Sequence, residues 1–286
     1  KIVGGDGFNQ TDPDKPHGTQ VAGVAAAATN NQRGVASLGW DFKPDYNKNI
    51  QRAVQAAQDA DVAVIFAGII EGEGRDRAAL DLPGKQEELI QKISATGKPT
   101  IVVLINGSAI TMLNWKDKVP AILEAWYPGE EGGNAIADVL FGEVNPSGKL
   151  PTTFPQRLQD NPAYINYPGE NGQVLYGEGI FVGYRYYDKK DIVPLFPFGY
   201  GLSYTTFAYR HLRLSQPEYA AGEAIRCSVD VENTGSRAGK EIVQVYVRDG
   251  QSRLVRPEKE LKAFAKVALD PGETKTVTLT LDQESL

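Results

Sequence analysis

Apolar runs of strand length alternate with helix-patterned segments between residues 46 and 142, and this alternation constrains the fold more than any other feature. Each run is largely apolar, as expected of strands that are covered on both faces. The segments between them carry apolar residues at the spacing of one helix face. Strands and helices in alternation predict an α/β fold with a mainly parallel sheet. The strand runs are DVAVIFAGII (61–70), PTIVVLINGSA (99–109) and PAILEAWYP (120–128), and helices are predicted over 49–60, 82–97 and 132–142.

The pattern changes after about residue 145. The next 60 or so residues are dense in Pro, Gly, Tyr and Phe, which is typical of an irregular connection packed by its aromatic rings. From Ala208 onward apolar and polar residues alternate between NTG, DG and DPGE turns, which predicts an antiparallel β-sandwich. We therefore predict an atypical N-terminal segment (1–45), an α/β domain (46–160), an irregular aromatic-rich connection (161–204) and a β-sandwich domain (205–286).

Composition excludes several classes of partner. The chain has 286 residues, a net charge of -6 and a pI of about 5.2, without a basic patch of the kind that binds nucleic acid. It contains no run of 18 apolar residues, so no membrane span is predicted. Cys227 is the only cysteine, which excludes an internal disulfide and a cysteine-based metal cluster. The chain starts without methionine and ends in a strand-rich stretch, so we expect a piece of a longer protein whose sandwich is truncated.

The stretch EGEGRDR (71–77) directly follows the first apolar run. In open parallel sheets, functional residues collect on the loops at the carboxyl ends of the strands, so this charged, glycine-rich loop is a candidate site. Its three carboxylates are oxygen ligands suited to a metal ion, but its two arginines bring positive charge to the place where a cation would bind. A phosphate-binding loop is also disfavoured, because the Lys and Ser/Thr of a P-loop are missing.

Acid–base catalysis is the third chemistry that this loop allows. A glutamate on a glycine-flanked loop can reach into a cleft and exchange a proton with a leaving oxygen. Glycoside hydrolysis uses such an acid together with a second carboxylate. The alternative is that the carboxylates and arginines form surface ion pairs that close the loop, and composition alone favours this alternative.

Five sequence blocks, in this order, resemble glycoside hydrolase family 3, which includes β-glucosidases and β-xylosidases. The resemblance covers about residues 46 to 286. It implies an α/β sandwich followed by a fibronectin type III-like domain, preceded by a barrel that carries an aspartate nucleophile. The blocks are EGEGRDRAALDLPGKQEELI, GKPTIVVLINGSAI, AILEAWYPGEEGGNAIADVLFGEVNPSGKLPTTFP, YGEGIFVGYRYYD and PLFPFGYGLSYTTF.

The resemblance also implies roles for residues of the loop. The family's general acid/base glutamate lies in a G-E-G segment just before D-R, which corresponds to Glu73, with Glu71 as the runner-up. Asp76 and Arg77 match the D-R pair, and we interpret them as an ion pair that shapes the loop. Because a neighbouring arginine weakens a glutamate as an acid, Arg77 is expected to point away from Glu73. Neither a metal nor an organic cofactor is expected.

The implied function is that of the C-terminal part of a retaining, exo-acting β-glycosidase that acts on a β-linked glucoside or xyloside. Only 45 residues precede the resemblance, too few for a barrel of about 200 residues or more. We therefore predict that the nucleophile-bearing barrel is absent from this chain, that the chain is inactive alone, and that its partner is the N-terminal barrel of the same enzyme. The family favours a periplasmic or secreted location and leaves room for a homodimer. The alternative is a non-catalytic module that binds carbohydrate or protein.

The first 45 residues raise a separate hypothesis. The stretch HGTQVAGVAAAATNN resembles the histidine segment of subtilisin-like serine proteases, in which His17 would match the general base. That triad also needs an aspartate on an earlier strand and a serine in a later G-T-S segment, and the sequence has no GTS. We therefore expect His17 to be catalytically silent, whether the segment is a fusion, an assembly artefact or a coincidental helix. A remnant serine hydrolase is the weaker alternative.

Overall fold

The computed structural model describes residues 35–36, 46–69, 71–72, 74 and 76–285. The chain divides into two compact units, one ending at Glu143 and the other beginning at Val144. Two residues that the sequence singles out, His17 and Glu73, lie outside the described residues.

The first unit is a four-stranded sheet with helices, and its strand order is β1-β2-β3-β4. Every pair of neighbouring strands is parallel. The predicted α/β fold with a parallel sheet is therefore confirmed. In chain order the elements are β1 (Val35–Ala36), α1 (Tyr46–Gln58), β2 (Val62–Gly68), α2 (Gln86–Ser94), β3 (Thr100–Ile105), a 3-10 turn (Lys116–Lys118), β4 (Ala121–Glu124) and α3 (Gly132–Phe141).

Apolar burial explains why these segments form these elements. Strand β3 has side chains buried on both faces, since the consecutive residues Val102, Val103 and Leu104 are all fully buried. Helix α2 buries one stripe, Leu89, Ile90 and Ile93, at helical spacing. The helix begins at Gln86 rather than at Leu82, because Gly84 has a φ of +67° that a right-handed helix cannot accommodate.

One cluster in the core of this unit joins the central strands to α3. It contains Val64 and Phe66 from β2, Val103 and Ile105 from β3, and Ile136 from α3. Because the strands are parallel, β2, β3 and β4 all end at the same edge of the sheet. The loops that follow them therefore start side by side.

The second unit begins with an irregular stretch that contains one short helix, α4 (Tyr184–Lys190), and continues into five strands. The strands form two antiparallel sheets, with orders β5-β6-β9 and β7-β8. Their core includes Cys227, Val231, Val243 and Leu269. The predicted antiparallel β-sandwich is therefore confirmed. Its strands are β5 (Phe207–Leu214), β6 (Ile225–Asn233), β7 (Gly239–Val247), β8 (Glu260–Leu269) and β9 (Thr274–Leu281).

A buried amide links the irregular stretch to the sandwich. Asn233 is fully buried, and its Oδ1 accepts hydrogen bonds from Thr205 Oγ1 at 2.6 Å and from the Gly235 N–H at 3.1 Å. Its Nδ2 donates to the carbonyls of Arg237 (2.8 Å) and Leu269 (3.1 Å). One side chain thus makes four hydrogen bonds, and two of them, to Thr205 and Leu269, are buried. Among the residues that the structure describes, no helix has the length and apolarity needed to cross a membrane.

Candidate active site

Three loops meet at the carboxyl edge of the parallel sheet. They follow β2, β3 and β4, and they begin near residues 69, 106 and 125. Backbone pairing continues past the strand ends: the Ile69 N–H donates to the Ile105 carbonyl at 3.0 Å, and the Ala125 N–H donates to the Leu104 carbonyl at 2.9 Å. These bonds fix the starting points of the loops, so residues distant in the sequence become neighbours here.

Glu71, the first carboxylate of the EGEGRDR loop, is held by three hydrogen bonds. Its Oε2 accepts a hydrogen bond from the Gly107 N–H at 2.8 Å. Its Oε1 accepts from Ser108 Oγ at 2.5 Å and from Arg77 Nη1 at 2.9 Å. The side chain is 17% exposed. Three donors in a partly buried setting hold this carboxylate in one position.

The same contacts set the charge of Glu71. Burial raises the pKa of its carboxyl group, but the hydrogen bonds from Ser108, Gly107 and Arg77 together lower that pKa by more, so the net shift is downward. A carboxyl group with a lowered pKa keeps its negative charge at neutral pH and is a weak proton donor.

Arg77 closes the loop by reaching back to its first residue. Its Nη1 lies 2.9 Å from both Glu71 Oε1 and Ser108 Oγ, and 3.1 Å from the Ala109 carbonyl oxygen. The guanidinium side chain is 16% exposed. The loop that begins at Glu71 is thus closed at Arg77 and tied to the loop that follows β3.

The structure describes only some of the other residues that the sequence singles out in this loop. Asp76 is exposed, and its predicted pairing with Arg77 stays a prediction. Because Glu73 and Arg75 lie outside the described residues, the expected orientation of Arg77 away from Glu73 also stays a prediction. Within the described part of the chain, no three His, Cys, Asp or Glu side chains lie close enough together to hold a metal ion.

Tyr127, from the loop after β4, holds the backbone on either side of residue 70. Its hydroxyl accepts a hydrogen bond from the Glu71 N–H at 3.1 Å and donates to the Ile69 carbonyl at 2.6 Å. Burial raises the pKa of this hydroxyl, and the negative charge of Glu71 adds to the effect. The phenol therefore stays protonated and keeps both contacts.

Gly107 allows the close approach on which the anchor depends. A Cβ atom at this position would lie 2.8 Å from Glu71 Oε2 and 2.7 Å from Tyr127 Cε2. Both distances are shorter than van der Waals contact allows, so any side chain here would push the carboxylate away from its backbone donor.

A second carboxylate, Glu124, ends strand β4 at the same edge. Its Oε1 accepts a hydrogen bond from the Trp126 N–H at 3.0 Å, and its Oε2 accepts from Asn106 Nδ2 at 3.3 Å. Burial raises the pKa of Glu124 to about 7, and the negative charge of Glu71 contributes to the increase. Asn106 is fully buried and also donates from Nδ2 to the Ser108 carbonyl at 2.8 Å.

The sequence assigns no role to most of these partners. They lie in or beside the segments NGSA and YPGEEGG, each of which follows an apolar run. The rule that parallel strands end at one edge is the signal that links these segments to EGEGRDR. The residues missed in this way are Asn106, Gly107, Ser108, Glu124 and Tyr127.

Comparison with known proteins identifies the family. Residues 2–184 match the model of the glycosyl hydrolase family 3 C-terminal domain, which is more than half of the chain. The chain belongs to glycosyl hydrolase family 3. Residues 241–286 match a fibronectin type III-like domain, as the resemblance implied. The family 3 match begins at residue 2, so it includes the segment that contains His17.

Individual relatives of this family 3 chain are beta-glucosidases. It is 53% identical over 239 residues to thermostable beta-glucosidase B of Acetivibrio thermocellus, covering 82% of this chain and 32% of that protein. It is 50% identical over 243 residues to probable beta-glucosidase I of Aspergillus terreus, covering 82% of this chain and 29% of the relative. The chain therefore spans about a third of the length of these curated relatives.

Solved structures of family 3 members share the fold. The crystal structure of a Bifidobacterium adolescentis beta-glucosidase matches with a TM-score of 0.84 and 41% identity, over 92% of this chain and 39% of the other. Beta-glucosidase 3B of Thermotoga neapolitana, solved in complex with glucose, matches with a TM-score of 0.78 and 41% identity, over 86% of this chain and 35% of the other.

Proposed function

We propose that this chain supplies the general acid/base half of a retaining, exo-acting β-glucosidase. In this proposal Glu73 donates a proton to the leaving glycosidic oxygen and later takes a proton from the attacking water. The observation that carries the proposal is the anchored loop between Glu71 and Arg77, at the carboxyl edge of a family 3 sheet. The relatives named above are beta-glucosidases, which favours a β-glucoside over a β-xyloside as the substrate.

The contacts of Glu71 support Glu73 over Glu71 as the acid. Glu71 uses both carboxylate oxygens to accept hydrogen bonds from three donors, and its pKa is lowered, with burial opposing and the hydrogen bonds prevailing. A group with these properties holds a loop in place but does not release a proton near neutral pH. Glu71 is therefore assigned to anchoring.

The glycines on either side of Glu73 support its accessibility. An added Cβ at Gly72 or Gly74 would meet no heavy atom within 4 Å, and Gly74 has a φ of +73°. The surroundings of Gly72 and Gly74 are thus open, and the backbone of Gly74 has a conformation that suits glycine. In the proposal, the glutamate between these two glycines reaches a substrate that is bound by another domain.

The pairing of Arg77 supports its assignment to loop shaping. Arg77 directs its positive charge at Glu71 from a distance of 2.9 Å. Asp76 and Arg77 then act by shaping the loop and not as catalytic groups.

The retaining mechanism also requires a nucleophile about 5 Å from the acid/base carboxyl group. This chain spans 32% of the length of its Acetivibrio relative. We propose that the nucleophile is an aspartate on an N-terminal barrel in the remaining part of the enzyme. On this basis the chain alone does not hydrolyse glycosides, and it needs no metal or organic cofactor.

The test is hydrolysis of an aryl β-glucoside by this chain alone and after mixing with a separately expressed family 3 barrel. We expect no activity alone, recovery on mixing, and loss of the recovered activity in Glu73→Gln. Glu143→Gln is the matched control, because Glu143 is an exposed carboxylate at the end of the first unit. Activity of the unmixed chain would show that it contains a second catalytic carboxylate and would refute the proposal.

Chemical rescue by azide distinguishes the proposed role of Glu73 from that of Glu71. With an activated aryl glucoside, azide can replace the water that the general base would activate, so it should accelerate Glu73→Ala in the mixed enzyme. Glu71→Ala should lose activity through loss of loop anchoring, and azide should not restore it. Rescue of Glu71→Ala but not of Glu73→Ala would reverse the assignment.

A further inference from the structure

Glu124 is a partly buried carboxylate at the carboxyl edge that the proposed reaction does not use. It lies at the last position of β4, and its two oxygens accept hydrogen bonds from Trp126 N–H and Asn106 Nδ2. Removing a carboxyl group from water disfavours its charged form unless hydrogen bonds or a cation compensate, and these two donors compensate in part.

A short series of contacts joins Glu124 to the base of the EGEGRDR loop. The Asn106 amide donates to Glu124 at 3.3 Å and to the Ser108 carbonyl at 2.8 Å. The next residues along the chain, Gly107 and Ser108, are the donors that hold Glu71. Because Asn106 is fully buried, a change at Glu124 reaches the donors of Glu71 through one rigid side chain.

We propose that Glu124 is a positioning residue that acts through Asn106. It sets the backbone of residues 106–108 and thereby the hydrogen bonds that Gly107 and Ser108 donate to Glu71. The proposal rests on the proposed function, in which the loop that starts at Glu71 carries the acid/base residue. The ionised form of Glu124 holds Asn106 and hence the loop firmly, and the neutral form loosens this hold.

The contacts and charges around Glu124 give the direction of this effect. Among the described residues, the charged group that acts on Glu124 is Glu71, whose carboxylate contacts Arg77 at 2.9 Å. The other groups that contact Glu124, the Trp126 N–H and the Asn106 amide, are neutral donors. Ionisation of Glu124 therefore strengthens both hydrogen bonds, including the one that holds Asn106, and the repulsion between Glu124 and Glu71 is the smaller effect. Burial, with a contribution from Glu71, raises the pKa of Glu124 to about 7, so the change falls near neutral pH.

The first test needs no hydrolysis. The carboxyl carbon of Glu71 is followed by ¹³C NMR in this chain between about pH 5 and 9, in the parent, Glu124→Gln and the control Glu143→Gln. We expect a step near pH 7 in the parent and the control, and its loss in Glu124→Gln. A Glu71 signal that does not move near pH 7 in the parent overturns the proposal, and this reading does not depend on whether any variant folds.

The second test uses the mixed enzyme and compares kcat/KM for Glu124→Gln with that of the parent. The variant mimics neutral Glu124, so the ratio should be close to one at about pH 5.5 and fall by about three- to tenfold at about pH 8. A residue that only supports the fold would change kcat/KM by the same factor at every pH, and that result would overturn the positioning role. If mixing yields no hydrolysis, the proposed function fails while the NMR titration still decides the coupling.

Discussion

The Glu71–Arg77 ion pair should contribute a measurable coupling energy to the stability of the first unit. Arg77→Met removes the guanidinium but keeps an apolar stem, and Glu71→Gln removes the charge but keeps the shape. The side chains are 16% and 17% exposed, so the energy of this pair should lie between the values known for exposed and for fully buried ion pairs. Exposed pairs contribute about 0–1 kcal/mol, and removing one partner of a fully buried pair costs about 3–5 kcal/mol.

The other hydrogen bonds of Glu71 narrow the range of the expected loss of stability. After Arg77→Met, Glu71 still accepts from Gly107 and Ser108, so its charge is not left without partners. The loss is then about one charge-assisted hydrogen bond, or about 1.5–3 kcal/mol. Glu71→Gln should cost about 2 kcal/mol by the same reasoning. Because both changes remove the same contact, the double variant should be less destabilised than the sum, with a coupling energy of about 1–2 kcal/mol.

The assay is urea unfolding followed by tryptophan fluorescence at pH 7. All three tryptophans fall within residues 1–143, so the signal reports on the first unit. Arg52→Met, an exposed arginine on α1, is the control and should change the free energy of unfolding by less than about 0.5 kcal/mol.

The pH dependence of the coupling gives an independent check. The pKa of Glu71 is lowered in the folded chain, where burial is outweighed by the hydrogen bonds from Ser108, Gly107 and Arg77. Its contribution is therefore present above the unfolded pKa and is lost as the pH falls through the folded pKa. Additive free energies at pH 7, within about 0.3–0.5 kcal/mol, would refute the reasoning.

Three further perturbations have distinct expected outcomes. Gly107→Ala should destabilise the first unit by about 1–3 kcal/mol in the same fluorescence assay, because the new methyl group would overlap Glu71 Oε2 and the Tyr127 ring; an unchanged urea midpoint would contradict this. The free energy of unfolding of the parent should fall by up to about 3 kcal/mol as the pH rises from about 4.5 to about 7, because the folded chain binds the Glu124 proton more tightly than the unfolded chain does. Glu124→Gln should lack this pH dependence. Equal slopes in the parent and the variant would argue against a raised pKa of Glu124. Asn233→Ala should cost the sandwich about 2–4 kcal/mol, measured by urea unfolding with circular dichroism, because it leaves several buried polar groups without partners; a loss below about 0.5 kcal/mol would show that these groups find other partners.

Much of the fold could be predicted from the pattern of apolar residues. The runs at 61–70 and 99–109 correspond to β2 and β3, because a strand covered on both faces must be apolar along its length. The alternation after residue 208 corresponds to strands with one covered face, which accounts for the antiparallel sheets. Element boundaries were less accurate. The third run ends as a strand at Glu124, and Trp126 has a φ of +52°, so the chain leaves the strand earlier than its apolar residues indicate.

The sequence by itself determined the two fold classes, their order and the place of the EGEGRDR loop at the carboxyl end of a parallel strand, since these follow from local periodicity and from the direction of the strands. Only the tertiary structure decided which partners Glu71 and Arg77 take and that Glu124 lies, partly buried, at the same edge of the sheet. Apart from the Glu71–Arg77 pair, the contacts of these two residues join positions 30 or more apart, such as Glu71 with Gly107 and with Tyr127. They arise from the register that sets Gly68 opposite Ile105, and pairing between distant strands leaves no local trace in the sequence.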